Sequence, residues 1–344
     1  MKKGEKRPDT YAKAGVDIRK EDRTIKGIKK WVSRTFSFRE GKKGAVLEDI
    51  GSFANLMDFG DFALAFCMDG VGSKVLIAQE LEKYDTIGID CIAMNVNDLI
   101  CVGAEPVSMV DYLAMEETDD EIAKEISAGL YEGAKQSGIS IVGGETASLP
   151  EIIKGVDGRG FDLAAAVIGI VNKDKVITGE KIMVGDVVLG FKSSGIHSNG
   201  MTLARKVTPK NMWMNLLTPT RIYVKEVMEI LGKYDVHGLV NITGGGFLNL
   251  LRITEHGFHL DNMPDPQMIF KKIQELGKVS DEEMYRTFNM GIGFCAIAPD
   301  GEADRIVEEY GQKHGIARIG TVVEGHDVTV IRKGVEIKLE RTIY

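Results

Sequence analysis

The sequence predicts an α/β (α+β) fold in two domains, and three observations carry that reading. Short apolar runs of strand length alternate with longer segments of helical period. The runs lead into turns rich in glycine and small polar residues. The chain has 344 residues, which at ~150 residues per domain makes room for about two. Glycine-containing charged text at 172–185 is the expected boundary, separating domains 1–172 and 173–344.

Taken in order, the elements run as follows. Residues 64–68 read as a buried strand that meets Asp69, Gly70, Gly72, Ser73 and Lys74 before an apolar helix start. The two glycines let backbone approach a ligand closely. Asp69 supplies a hard oxygen for magnesium and Lys74 a point charge for phosphate. The spacing is not that of a Walker A loop, and read alone the stretch serves equally as an ordinary strand-to-helix turn. Residues 85–102 form a small-residue helix carrying Asn95, Asn97 and Asp98 on apolar ground, where an unpaired carboxylate is costly. A metal ion would offset that cost; a side chain capping nearby backbone is the other reading. A strand at 106–115 precedes a capping box, Thr118 with Glu121, and a helix whose Ile122, Ile126 and Leu130 share one face before Gly138 ends it. The strand 139–142 then delivers Gly143, Gly144 and Glu145 at its tip, and 163–171 is another buried strand.

The second half opens with a strand at 186–191 entering Ser193, Ser194, Gly195, Ile196, His197, Ser198, Asn199 and Gly200 ahead of a helix. Small donors before a helix start suit an anion; His197 reads equally as a core or capping residue. Thr220 is placed to cap a helix at 221–231. Gly244, Gly245 and Gly246 precede apolar Phe247 and make a second anion candidate. A strand reaching 298, a helix at 302–315 and two strands joined at Lys333–Gly334 close the chain, with no 20–50-residue repeat.

Composition narrows the function classes. The 43 basic and 51 acidic side chains give a net charge of -8, which argues against an extended nucleic-acid surface. Cys67, Cys91, Cys101 and Cys295 form no Cys-x-x-Cys pair and are expected as buried reduced thiols. The charged start at 1–7 lacks a following apolar region, so no signal peptide is expected. No apolar run nears the ~20 residues of a membrane span. A cytoplasmic protein, with neither membrane nor nucleic acid as partner, is the expectation.

Assembled, the motifs resemble the aminoimidazole ribonucleotide synthetase (phosphoribosylformylglycinamidine cyclo-ligase) family. The blocks are YAKAGVDI at 11–18, DGVGSK at 69–74, NVNDL at 95–99, GAEP at 103–106, GGETA at 143–147, GFDLA at 160–164, SSGIHSNG at 193–200, HGLVNITGGG at 237–246 and TFNMGIG at 287–293. They stand in family order over nearly the whole chain. The resemblance implies an N-terminal domain whose mixed sheet pairs across a homodimer, with a C-terminal α/β domain beside it. It implies that ATP, with Mg2+, phosphorylates the formyl oxygen of formylglycinamidine ribonucleotide, after which the amidine nitrogen closes the imidazole ring.

Carried over by position, Asp69, Asp98 and Glu145 match the metal carboxylates. Gly70, Gly72, Ser73, Lys74, Asn97, Gly143, Gly144 and Glu145 match the ATP side. Ser194, Gly195, His197, Ser198, Asn199, Gly244 and Gly245 match the substrate loops. Asp69, Lys74, Asp98 and His197 are the expected catalytic set. Departures are Ser73 for the usual threonine, Ala12 with Lys13 where lysine follows the tyrosine, Asn241 for a common histidine, and Ser148-Leu149 for the usual Glu-Met. The superfamily also holds a hydrogenase-maturation dehydratase, thiamine-phosphate kinase and selenophosphate synthetase. The chain's end lacks the dehydratase's terminal cysteine, and its first cysteine, Cys67, lies inside a strand. A non-catalytic nucleotide-binding scaffold is the alternative from another class.

Overall fold

The computed structural model describes residues 18–48 and 50–340, with side chains from 24 onward. Most of the block at 11–18, with Tyr11, Ala12 and Lys13, lies outside the described residues.

Six strands build the first sheet: β1 Ala45–Val46, β2 Asn55–Asp58, β3 Phe62–Gly70, β4 Glu105–Met115, β5 Ser140–Ser148 and β6 Phe161–Asn172. Their order is β1-β2-β3-β6-β4-β5. Only β4 and β5 run parallel, because the connection between them is a helical crossover rather than a hairpin. The helices of this half are α1 Ile18–Val32, α2 Val75–Leu81, α3 Ile87–Ile100 and α4 Asp120–Ser137.

α3 lies on one face of the sheet, over Ala63, Ala65 and Cys67, which are buried. α4 crosses α3 at a point where both chains are glycine. A Cβ on Gly88 would stand 2.1 Å from the Leu130 nitrogen, and one on Gly129 2.5 Å from the Asp85 carbonyl oxygen. Ile122, Ile126 and Leu130 are buried as their spacing predicts. The cap is one residue later than expected: Asp119, not Thr118, accepts from the Glu121 and Ile122 N–H groups at 2.9 and 3.0 Å. Its carboxylate both caps and complements the helix N-terminus. Gly138 ends the helix at φ +76°, in the left-handed region.

The expectation of a buried strand at 64–68 is corrected for one of its faces. β3 alternates, and its far face leaves Phe66 40% and Met68 66% exposed. Register places Met68, Ala166 and Val110 in one cross-strand row, so the apolar face continues onto β6 and β4. A second correction concerns 139–148. The strand does not stop before the glycines; β5 runs through Gly143, Gly144 and Glu145 to Ser148.

The second sheet holds β7 Val187–Lys192, β8 Gly238–Asn241, β9 Gly257–Leu260, β10 Ile292–Ala298, β11 Ile316–Val323, β12 Val328–Arg332 and β13 Val335–Leu339. Their order is β13-β12-β9-β11-β7-β10-β8. β8 and β10 are buried along their whole length, and β7 is buried up to Lys192. Around them pack α5 Met201–Val207, α6 Trp213–Leu216, α7 Val224–Leu231, α8 Met268–Gly277, α9 Asp281–Thr287 and α10 Asp300–His314. α7 starts at Val224, so Thr220 does not cap it; the three glycines lead into a 3-10 turn, Gly246–Arg252, rather than an α-helix. Among the described residues no helix is long and apolar enough to cross a membrane.

Candidate functional site

The two halves meet along α3. Asp90 and Asn97, two turns apart on one helix face, both reach residues of the second half. Asp90 Oδ1 accepts from the Thr220 N–H at 2.7 Å and hydroxyl at 2.6 Å. Asn97 donates to the Arg221 carbonyl at 2.8 Å and accepts from the Tyr223 N–H at 3.0 Å. Both ends of the Asn97 amide are therefore engaged in joining the halves. The structure thus places at the junction a residue expected on the ATP side.

Another face of α3 meets the end of β3. Asn95 behaves as a strand neighbour to the end of β3. Its Oδ1 accepts from the Asp69 N–H at 2.9 Å, and its Nδ2 donates to the Asp69 carbonyl at 3.1 Å. This explains how a buried asparagine is tolerated among small apolar residues. It also fixes where Asp69 leaves the strand. Asp98 lies nearly one turn further along α3, half-buried, and accepts from Asn241 Nδ2 at 2.8 Å. Burial pushes the Asp98 carboxyl up to about 7, against the Asn241 hydrogen bond and the Arg252 charge; the nearby Asp69 charge adds to the rise. Asp69 is likewise raised by burial, with the Gly70 N–H bond opposing. Two carboxylates held close in partly dry surroundings suit a magnesium ion that also binds phosphates, since magnesium takes one or two protein carboxylates and keeps water.

Glu145 does not join them. Register sets Gly70, Ala164, Tyr112 and Glu145 in one row and Asp69, Ala165, Asp111 and Gly144 in the next. Adjacent rows point to opposite faces, and three strand steps at ~4.8 Å separate the β3 and β5 ends of a row by roughly 14 Å. Glu145 is exposed on the face away from α3. Among the described residues no three His, Cys, Asp or Glu side chains gather as a metal cage. The expected convergence of three carboxylates is thus reduced to two.

Lys74 is also placed differently from expectation. It is fully buried, and Nζ contacts Asp90 Oδ1 and Oδ2 at 2.9 and 2.8 Å, the Thr218 carbonyl at 2.8 Å and the His197 carbonyl at 3.3 Å. Its three donors serve these groups rather than a phosphate. Burial pulls the ammonium below the ordinary lysine range while Asp90 pulls it back. Ser73, beside it, pairs its hydroxyl with Thr202 at 3.2 Å.

The loop 193–200 leaves β7 and turns over this junction. Ser194 donates to the Pro219 carbonyl at 2.6 Å, and Ser198 and Thr220 hydroxyls lie 3.3 Å apart. Asn199 Oδ1 is 3.5 Å from the position of a Cβ on Gly244, so the two glycine-rich loops adjoin. Asn289 pins the loop from below, donating to the Gly195 carbonyl at 2.9 Å and accepting from Ser193 at 3.0 Å. His197 is buried at φ +61°, with its ring toward Tyr223. Burial, then the Lys74 and Arg221 charges, push it down to about 3. The structure thus places His197 as a neutral ring closed off from solvent.

Sequence reading missed Asp90, Asn289 and Asp111, and it took Thr220 for a helix cap. Asp111 shares the α3-side row with Asp69 and borders a cleft of about 690 Å³ between α4 and the β4–β5 pair, lined also by Tyr131, Ile141, Gly144 and Thr146. Its signal was a polar residue between buried Met109 and Leu113 on an otherwise apolar strand face.

Comparison with known proteins agrees with this architecture. Residues 45–171 match the family described as AIR synthase related protein, N-terminal domain, and 183–333 match its C-terminal domain. A phosphoribosylformylglycinamidine cyclo-ligase from Thermococcus kodakarensis is 52% identical over 339 residues, 95% of this chain and 99% of that protein. One from Pyrococcus furiosus is 51% identical over 338 residues, with the same 95% and 99% coverage. Among solved structures, the HypE–HypF complex superposes with a TM-score of 0.65 at 18% identity, over 90% of this chain and 99% of that one. AaThiL complexed with AMPPCP and TMP gives 0.62 at 16%, over 86% and 90%. Those structures share the fold, whereas the near-full-length identity to the cyclo-ligases is of another order. The chain belongs to the AIR synthase related family and, within it, to the phosphoribosylformylglycinamidine cyclo-ligases.

Proposed function

We infer that the chain is an ATP-dependent cyclo-ligase of purine biosynthesis. It closes the imidazole ring of formylglycinamidine ribonucleotide to give aminoimidazole ribonucleotide, ADP and phosphate. The observation that carries the site assignment is the Asp69–Asp98 pair, partly desolvated and set where Asn241 of the second half meets α3. Magnesium, when bound, would neutralise charge on the ATP phosphates as the γ-phosphoryl group leaves. Asp69 and Asp98 would hold it, and Asn241 keeps the Asp98 carboxylate aimed. Gly72, Gly143 and Gly144 are exposed, so their backbone, with that of half-buried Gly70, would approach the nucleotide, and the cleft beside Asp111 and Tyr131 would take its nucleoside end. The loops at 193–200 and 243–246 would face the substrate from the other side. Nearness and orientation supply most of the remaining rate, since ring closure joins two parts of one molecule.

In this reading residues 1–172 form the ATP-binding and dimerisation domain, and 173–344 bring the substrate loops. The exposed apolar face carrying Phe66, Met68 and Val110 supports a homodimer through the first sheet. A second subunit on that face would also bring cover to Glu145. Four buried, unpaired cysteines accord with a cytoplasmic protein. The dehydratase and kinase alternatives are disfavoured, because HypE and AaThiL share only 18% and 16% identity. A scaffold would bind nucleotide without turnover. The test is direct: formylglycinamidine ribonucleotide with Mg-ATP should yield ADP and aminoimidazole ribonucleotide in equal amounts. ADP release that ignores the ribonucleotide, or none at all, overturns the reading.

A further inference from the structure

Residues 218–220 form a brace between the first half and the loop 193–200. On one side Lys74 donates to the Thr218 carbonyl at 2.8 Å and Asp90 takes both the N–H and the hydroxyl of Thr220, at 2.7 and 2.6 Å. On the other side Ser194 donates to the Pro219 carbonyl at 2.6 Å, and the Ser198 hydroxyl stands 3.3 Å from that of Thr220. Proton direction follows from the partners. A carbonyl only accepts, so the Ser194 proton points at Pro219. Asp90, ion-paired with Lys74, accepts from the Thr220 hydroxyl. Thr220 has then given its single proton, so it accepts from Ser198. Both serine protons are turned onto the brace, which leaves each serine oxygen only its lone pairs to offer a ligand.

We propose that the brace fixes Ser194 and Ser198 as hydrogen-bond acceptors, so that these hydroxyls read donor groups on the substrate and do not bind its phosphate. This rests on the cyclo-ligase reading. A phosphate dianion needs donors, and lone pairs repel it. The substrate offers donors in its ribose hydroxyls and its amidine N–H groups. Asp90 and Thr220 are positioning residues in this scheme. Their buried ion pair and hydrogen bonds add little net stability compared with an apolar filling, but they hold hydroxyl direction, which an apolar filling does not.

The test separates substrate from phosphate. Ser198→Ala should raise the substrate KM about tenfold, the scale of one lost hydrogen bond, while competitive inhibition by inorganic phosphate stays within about twofold. Thr220→Val removes the acceptor of the Ser198 proton, so substrate KM should rise and phosphate should bind more tightly; Thr220→Ser should restore both values. ATP KM should hold throughout. A 2′-deoxyribose substrate that no longer distinguishes wild type from Ser198→Ala identifies the ribose as the donor, and one that still does identifies the amidine. If Ser198→Ala weakens phosphate as much as substrate, the serines are phosphate donors and the proposal fails. It fails equally if Thr220→Val matches wild type, or if Thr220→Ser matches Thr220→Val. Phosphate binding measured by calorimetry needs no turnover, so a chain without cyclo-ligase activity fails the functional reading separately.

Discussion

The two sheets solve the same problem in different ways. In the second sheet the central strands are buried on both faces by helices of the same chain, and its site residues are neutral: glycines, hydroxyls and amides on loops. In the first, α3 and α4 cover one face only, the other stays apolar and bare, and the site residues are carboxylates on rigid elements. The difference teaches a division of labour. Charge that must not move sits on a strand end and a helix, while the surface that must fit a ligand is built from loops.

The largest expected effect tests the charged half. Asp69→Asn and Asp98→Asn should each cut turnover at least about a hundredfold, the scale of losing one preorganised electrostatic group. Melting temperature without nucleotide should be unchanged or slightly higher, because a desolvated charge is gone. Near-wild-type turnover in both variants would falsify the contrast. Glu145→Gln should cost less than either, since Glu145 faces away from the pair.

Next in size is the neutral half. Replacing Ser194 and Ser198 together by leucine should raise the substrate KM at least about tenfold through bulk in the loop, with ATP KM little altered. Equal losses for both ligands would mean that the halves do not divide the work. Third, Met68→Glu on the bare face should shift the light-scattering mass toward a single chain, because a charge buried in an apolar interface is strongly disfavoured. The same substitution made at exposed Met268 of the second half should leave the mass alone, and parallel behaviour of the two would erase the comparison.

The smallest effect is on stability against pH. Folded Asp98 titrates near about 7, against an ordinary 3.8. The folded state therefore holds a proton that the unfolded chain has released. The contribution of Asp98 to stability is full below 3.8 and is lost as pH rises through about 7. His197, pushed down to about 3, gives a slope of opposite sign, present in wild type and variant alike. The difference isolates Asp98: its asparagine variant should gain on wild type by roughly a few degrees of Tm between pH 4 and 8. A constant difference across that range would show that the carboxyl is not desolvated.

Much of the architecture was legible because period and punctuation agree. The isoleucine face of α4, the glycine at its end and the strands at 289–298 and 328–339 needed no tertiary knowledge. Asp69 and Asp98 stood out as carboxylates on apolar ground. What failed depended on the register. A bulge where Met109–Val110 faces Ile141–Gly143 decides which face Glu145 occupies, and nothing in the local sequence reveals it. Lys74 was read as a point charge for phosphate because it follows a glycine-rich turn. Its partner Asp90 sits sixteen residues away, inside a helix whose other polar residues drew the attention. Asp111 was overlooked because its neighbour on the same row lies two strands off.

The four cysteines have a practical consequence. All are buried and unpaired, and burial, helped for Cys67, Cys91 and Cys101 by neighbouring carboxylates, pushes every thiol up. Thiolate is the reactive species, so maleimide and iodoacetamide reagents should pass the native chain by. A cysteine introduced at an exposed position in each half, for instance at Lys124 and Lys181, would then be labelled against a silent background. Fluorophores at such a pair would report the distance between halves as ATP and ribonucleotide arrive, with no native thiol to remove first.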